Sequence, residues 1–126
     1  MESIKDKVAI IGMGTSAFGE LWEKSAEDLI VDATSEAFAD AGVEPKDIQA
    51  AWFGTFDSGY TGQVLSSPLQ LQYIPITRVE NACATGIDAV RNAAYGLIAK
   101  AYDLVLVTGL EKMKDQSFFS GDVIFW

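Results

Sequence analysis

Four short stretches with strand character are spaced along the chain with helical patterns or long turns between them, and this alternation limits the fold more than any other feature. Residues 7–13 (KVAIIGM) form a β-branched apolar run ending in glycine, the pattern of a strand buried on both faces. Residues 50–54 (AAWFG), 76–80 (ITRVE) and 103–108 (DLVLVT) are the second, third and fourth strand candidates. Between the first two, Ser25 can cap a helix and Asp28 suits its first turn, although Asp is not the Glu or Gln of a full capping box. Ala26, Leu29, Ile30, Ala33, Ala37, Phe38 and Ala41 then recur at helical spacing, and Gly42 and Pro45 stop the helix. The order β-α-β-loop-β-α-β, with short buried strands, predicts an α/β fold with a mostly parallel sheet and right-handed crossovers.

The segment 55–75 is rich in Gly, Ser, Thr and Gln, with one helical turn expected near 69–73. A loop this long in a compact domain is usually functional or part of an interface. A helix predicted over 83–100 carries only Asp88 and Arg91 as charges between Cys83 and Ala99. A surface helix shows one apolar stripe and one charged face, so this one calls for a second covering layer. Residues 118–126 end the chain on aromatics with no helix stop, the expected look of the front portion of a longer subunit.

Composition removes several functions. The 126 residues suit one compact domain, and 9 basic against 18 acidic side chains leave a net charge of −9. Such a surface repels phosphate, so neither nucleic acid nor an anionic membrane is an expected partner. With no histidine and one cysteine, the chain cannot by itself complete a Ser/His or Cys/His pair, a disulfide or a multi-Cys zinc site. No metal set is expected, and a reducing compartment, the cytoplasm, is the expected location. The apolar run near the N-terminus is too short to span a bilayer and lacks the layout of a signal peptide.

Cys83 is the residue that can carry chemistry. It sits where a buried strand gives way to a helix, and a helix N-terminus favours a thiolate. The same leading N–H groups could hold the oxyanion of a thioester under attack. Gly86 and the small residues Ala82, Ala84 and Thr85 leave room for an acyl chain. The plainer alternative is a small hydrophobe buried among alanines.

The run from Val79 to Gly86 (VENACATG) resembles the nucleophile segment of thiolases, especially the sterol-carrier-protein-type and archaeal acetoacetyl-CoA thiolases. Residues 107–113 (VTGLEKM) are similar to the segment that follows the next strand in those enzymes, and the KVAIIGMGTSAFG opening is similar to their N-termini. The resemblance covers essentially the whole chain. It implies a thiolase-like fold, here the N-terminal half of a five-layer αβαβα architecture, whose central helices form a shared buried layer. It also implies Cys83 as the acyl acceptor, with Asn81, Thr85, Gly86, Glu111 and Met113 as substrate-binding or supporting residues. The reaction implied is thiolytic cleavage or Claisen formation of a 3-oxoacyl-CoA, with coenzyme A as substrate and no permanently bound cofactor. A homodimer or larger assembly is implied, with residues 55–75 as contact surface and with room for a helper subunit.

Family members are much longer than this chain, and the histidines and second cysteine of their active sites have no match in it. On its own the chain is expected to be inactive. Two alternatives keep the fold: a decarboxylative or aldol-type condensing enzyme, and a non-catalytic acyl-CoA-binding or scaffold subunit. Other motifs carry less. Gly12-Met13-Gly14 reads as a tight turn after a strand, because Gly19 comes too late for a dinucleotide-binding loop. Asp57, Glu80 and Glu111 read as solvated or backbone-bonded carboxylates, with Glu111 tying a loop. Trp22, Trp52 and Trp126 read as core or interface aromatics.

Overall fold

A computed structural model describes residues 3–113; the aromatic tail at 118–126, including Trp126, lies outside the described residues. Three parallel strands form the sheet: β1 (Ala50–Gly54) in the middle, β2 (Ile76–Val79) on one side and β3 (Val105–Gly109) on the other. Gly54 pairs with Val79 and with Gly109, so all three strands end level and their following loops share one rim. From β1 the chain steps sideways to β2, then crosses back over β1 to β3. That reversal places two right-handed crossovers on opposite faces of the sheet.

Side-chain alternation along β1 shows the two faces. Ala51 and the fully buried Phe53 join Ile30 of α1 (Ala26–Ala41) and Leu65 and Leu69 of α2 (Gln63–Leu69) in the core cluster. Burying a side chain of that size stabilises the fold by about 1.5–3 kcal/mol. Trp52 and Gly54 point the other way, against α3 (Thr85–Ile98): a Cβ on Gly54 would lie 3.2 Å from Cγ2 of Thr85, and one on Gly96 would lie 3.0 Å from the Trp52 ring. Trp52 also meets Tyr102 edge to face, with ring centroids 6.0 Å apart. The fold is thus an α/β arrangement, a parallel sheet with helices on both faces.

Helix α1 starts with Ser25, whose hydroxyl accepts from the Asp28 amide while the Asp28 carboxylate accepts from the Ser25 amide. Asp28 therefore completes the reciprocal capping box that Glu or Gln was expected to be needed for. The helix ends at Gly42, which takes the left-handed conformation (φ 68°) that glycine adopts without a Cβ penalty.

The expected first strand at 7–13 is not part of the sheet. It pairs with neither outer edge, that of β2 nor that of β3, and lies along α1 instead. Gly12 and Gly14 face the helix so closely that a Cβ would fall 2.4 Å from the Ala37 carbonyl oxygen and 2.1 Å from that of Ala33. The Met13 and Thr15 amides donate to carboxylates of Asp40 and Glu36 on the same helix. Ile10, Ile11 and Met13 are consequently 72%, 54% and 70% exposed. The two glycines read as a turn are thus a close-packing device.

The expected turn at 69–73 is replaced by the earlier helix α2, which buries Leu65 and Leu69 and ends at Gln70 in the left-handed region. Its start has no side-chain cap and Pro68 sits in its last turn, so the usual boundary signals are missing. The helix predicted from Cys83 begins two residues later, after a 3₁₀ turn at Ala82–Ala84. Its buried stripe is Thr85, Ala89 and Ala93, Asp88 and Arg91 pair with each other, and Ile87, Val90 and Tyr95 remain 69%, 39% and 51% exposed. Trp22 is also exposed rather than in a core.

Candidate functional site

In an open parallel sheet, ligands bind at the carboxyl ends of strands where neighbouring connections leave toward opposite faces. Here that crevice lies between the loop after β1, beginning at Thr55, and the loop after β2, which carries Glu80 to Cys83. The two loops are stitched at their base, where the Thr55 amide donates to the Val79 carbonyl at 3.2 Å.

Cys83 occupies the 3₁₀ turn immediately ahead of α3 and is solvent-exposed, which removes the reading of a small buried hydrophobe. The residue before it, Ala82, has φ 46°, a left-handed conformation that costs a non-glycine residue about 1–2 kcal/mol. Both of its backbone groups are captured. The Ala82 amide donates to Oε1 of Glu80 at 2.6 Å, and its carbonyl accepts from the Thr85 hydroxyl at 2.7 Å. That same hydroxyl oxygen accepts from the Asn81 amide at 2.8 Å. Glu80, Asn81 and the buried Thr85 therefore fix the turn that presents Cys83 to solvent.

Around the thiol, Ala82, Ala84 and Gly86 are exposed, and a Cβ on Gly86 would meet nothing within 4 Å. No side chain caps the N-terminus of α3; the preceding 3₁₀ turn runs into it, with the Ala84 amide donating to the Asn81 carbonyl and the Thr85 amide to the Ala82 carbonyl. An exposed nucleophile, open space and oriented backbone donors are what attack on a thioester carbonyl requires.

Glu111 lies after β3 and does not reach the Cys83 turn by any described contact. Its carboxylate instead gathers the loop after β1: Oε1 accepts from the Phe56 amide and from the Thr55 hydroxyl at 3.2 Å, and Oε2 accepts from the Ser58 hydroxyl at 3.2 Å and the Asp57 amide at 3.4 Å. Ser58 Oγ in turn accepts from the Lys112 amide at 2.6 Å. Asp57 is buried in this loop rather than solvated. Met113 is half exposed and lines a separate groove of about 530 Å³ formed by residues 14–22 and 109–113. That groove follows β3, across the sheet from the β2 end where Cys83 sits.

Three residues with structural roles at the site are not singled out by the sequence reading: Thr55 and Ser58 as loop ties, and Arg78, which reaches from β2 into the same loop. Alternation along β2 was the available clue, since an arginine within a strand of a buried sheet needs acceptors. Among the described residues there is no group of three or more potential metal ligands, and no helix is long and apolar enough to cross a membrane.

Residues 8–124 match the family described as thiolase, N-terminal domain. Among curated relatives, the acetyl-CoA acetyltransferase of Methanocaldococcus jannaschii is 45% identical over 114 residues, covering 86% of this chain and 29% of that protein. Sterol carrier protein 2 of Gallus gallus is 33% identical over 119 residues, covering 91% of this chain and 22% of that protein. The chain thus spans less than a third of the length of these relatives. A solved 3-oxoacyl-[acyl-carrier-protein] synthase III from Aquifex aeolicus VF5 shares the fold, with a TM-score of 0.70 at 18% identity over 92% of this chain and 49% of that one.

Proposed function

The chain belongs to the thiolase family, and on that premise we propose that Cys83 is the acyl acceptor of an acyl-CoA acyltransferase whose complete subunit extends beyond these residues. The observation that carries this is the exposed thiol after a left-handed Ala82, in the 3₁₀ turn that leads into α3. In the condensing direction the Cys83 sulfur attacks the thioester carbonyl, backbone amides at the turn donate to the developing oxyanion, and coenzyme A leaves as its thiolate; the acyl group then passes from Cys83 to the α-carbanion of another acyl-CoA. In the cleaving direction the sulfur attacks the 3-keto carbonyl of a 3-oxoacyl-CoA, the C2–C3 bond breaks with acyl-CoA leaving as its α-carbanion to be protonated, and the coenzyme A thiolate takes the acyl group from Cys83. Protons must be moved by groups outside this chain, which has no histidine.

Incompleteness extends to the surfaces. The exposed apolar face of α3, with Ile87 and Val90, suits packing by the rest of the subunit, and the 55–75 region suits a partner subunit or helper chain. A condensing enzyme that decarboxylates or forms an aldol is the second reading, since the synthase above shares this fold. The 45% identity to an acetyl-CoA acetyltransferase favours thiolase chemistry over it. The discriminating experiment is turnover by the complete subunit. Thiolysis of acetoacetyl-CoA that Cys83→Ala reduces by at least about a thousandfold supports the proposal, and full activity in that variant overturns it.

A further inference from the structure

The loop after β1, which neighbours the Cys83-bearing loop at the strand ends, is buried at Thr55, Asp57, Ser58 and Gly59, so its backbone polar groups need partners from the protein. Glu111 supplies acceptors for the Phe56 and Asp57 amides. The carbonyls are served from the opposite side by one residue. Arg78 Nη2 donates to the carbonyl oxygens of Thr55 at 3.0 Å and Phe56 at 2.9 Å, while its Nε donates to that of Gly59 at 2.8 Å. A planar fork of fixed N–H directions can hold three carbonyls at once, which a lysine ammonium on a flexible stem cannot do in the same geometry.

Arg78 also lies in β2, five residues before Cys83 in the strand that delivers the nucleophile turn. One strand therefore ties both loops: its end carries the Cys83 turn, and its side chain pins the loop after β1. The geometry points to Arg78 as a positioning residue for acyl transfer, fixing the distance between the loop at 55–59 and the Cys83 thiol so that an acyl thioester entering between them meets the sulfur in a reactive pose. This rests on the acyl-acceptor role proposed for Cys83, and goes beyond it by assigning a residue that touches neither the thiol nor the substrate.

The test compares two reactions of the same thiol in the complete subunit: acylation by acetyl-CoA, which needs the crevice, and alkylation by iodoacetamide, which needs only an accessible sulfur. Arg78→Ala is expected to slow acylation by at least about tenfold, as misplacement of a substrate-positioning element does, while alkylation stays within about threefold. Arg78→Lys is expected to recover only part of the loss, and added methylguanidinium to restore acylation in Arg78→Ala. Should the alanine variant fail to fold, Arg78→Lys carries the same comparison. Acylation at the wild-type rate overturns the assignment, as does an equal fall in both reactions without rescue, which is the signature of a purely structural role. A wild-type subunit that turns over without acylating Cys83 removes the acyl-acceptor reading itself, and this inference with it.

Discussion

The Ser58 hydroxyl donates to Glu111 at 3.2 Å across 53 residues of sequence, joining the loop after β1 to the loop after β3 above the ends of two paired strands. Because the Glu111 carboxylate serves four donors, an amide in its place would turn an NH₂ toward at least one of them. Glu111→Gln is expected to cost about 1–2 kcal/mol, discounted for partial exposure of the group. A lower urea midpoint with an unchanged m-value would show it. An unchanged midpoint would mean that the loop holds itself.

Ala82 gives a second prediction. A β-branched side chain tolerates positive φ poorly, so Ala82→Val should destabilise by about 1–3 kcal/mol. Ala82→Gly should remain within about 1 kcal/mol of the parent, because relieved strain offsets the added freedom of the unfolded chain. Thermal unfolding of the two variants checks the ranking. A valine variant as stable as the alanine parent would place residue 82 outside the left-handed region.

The close approach of the N-terminal segment to α1 gives a third. Gly14→Ala would set a Cβ 2.1 Å from a backbone oxygen of Ala33, and backbone cannot swing aside as a side-chain tip can. We expect a loss of about 1–3 kcal/mol and faster hydrogen exchange at the Met13 and Thr15 amides. Unchanged exchange would show that the segment is held by something other than its fit to the helix.

Acid should weaken the start of α1. The Ser25 amide, and after it the Ser25 hydroxyl, hold the Asp28 carboxyl below its ordinary range. The folded chain therefore takes up this proton at lower pH than the unfolded chain. Its stabilising contribution is present above the unfolded value and is lost as pH falls through the folded one. The stability gap between the parent and Asp28→Ala should be full near neutral pH and narrow as pH falls below about 4. A gap that stays constant as acid is added would contradict the capping assignment.

Strands β1 to β3 and helices α1 and α3 were legible because their signals are local: β-branched runs, a helical apolar stripe, and Ser25 and Gly42 at the ends of α1. The segment 7–13 differs because apolar β-branched composition reports burial potential, whereas its two glycines and the Asp40 and Glu36 carboxylates hold it against α1. Helix α2 was displaced because a glycine start, an internal proline and a left-handed glutamine all contradict the usual boundary rules. At the candidate site, Cys83 and Thr85 stand in the motif that the sequence singles out, and Glu111 is the expected loop tie. Arg78 and Ser58 could not be found, because their roles come from parallel register, which brings residues 19 to 54 positions apart onto one loop.

The central claim is that Cys83 carries the acyl group. Intact mass and peptide mapping of the complete subunit, quenched in acid after brief exposure to acetyl-CoA, test it most directly. The account predicts a gain of one acetyl group on the peptide containing Cys83, reversed by added coenzyme A and absent from Cys83→Ala. Steady turnover with an unmodified Cys83 peptide, or an adduct that persists in Cys83→Ala, would contradict it.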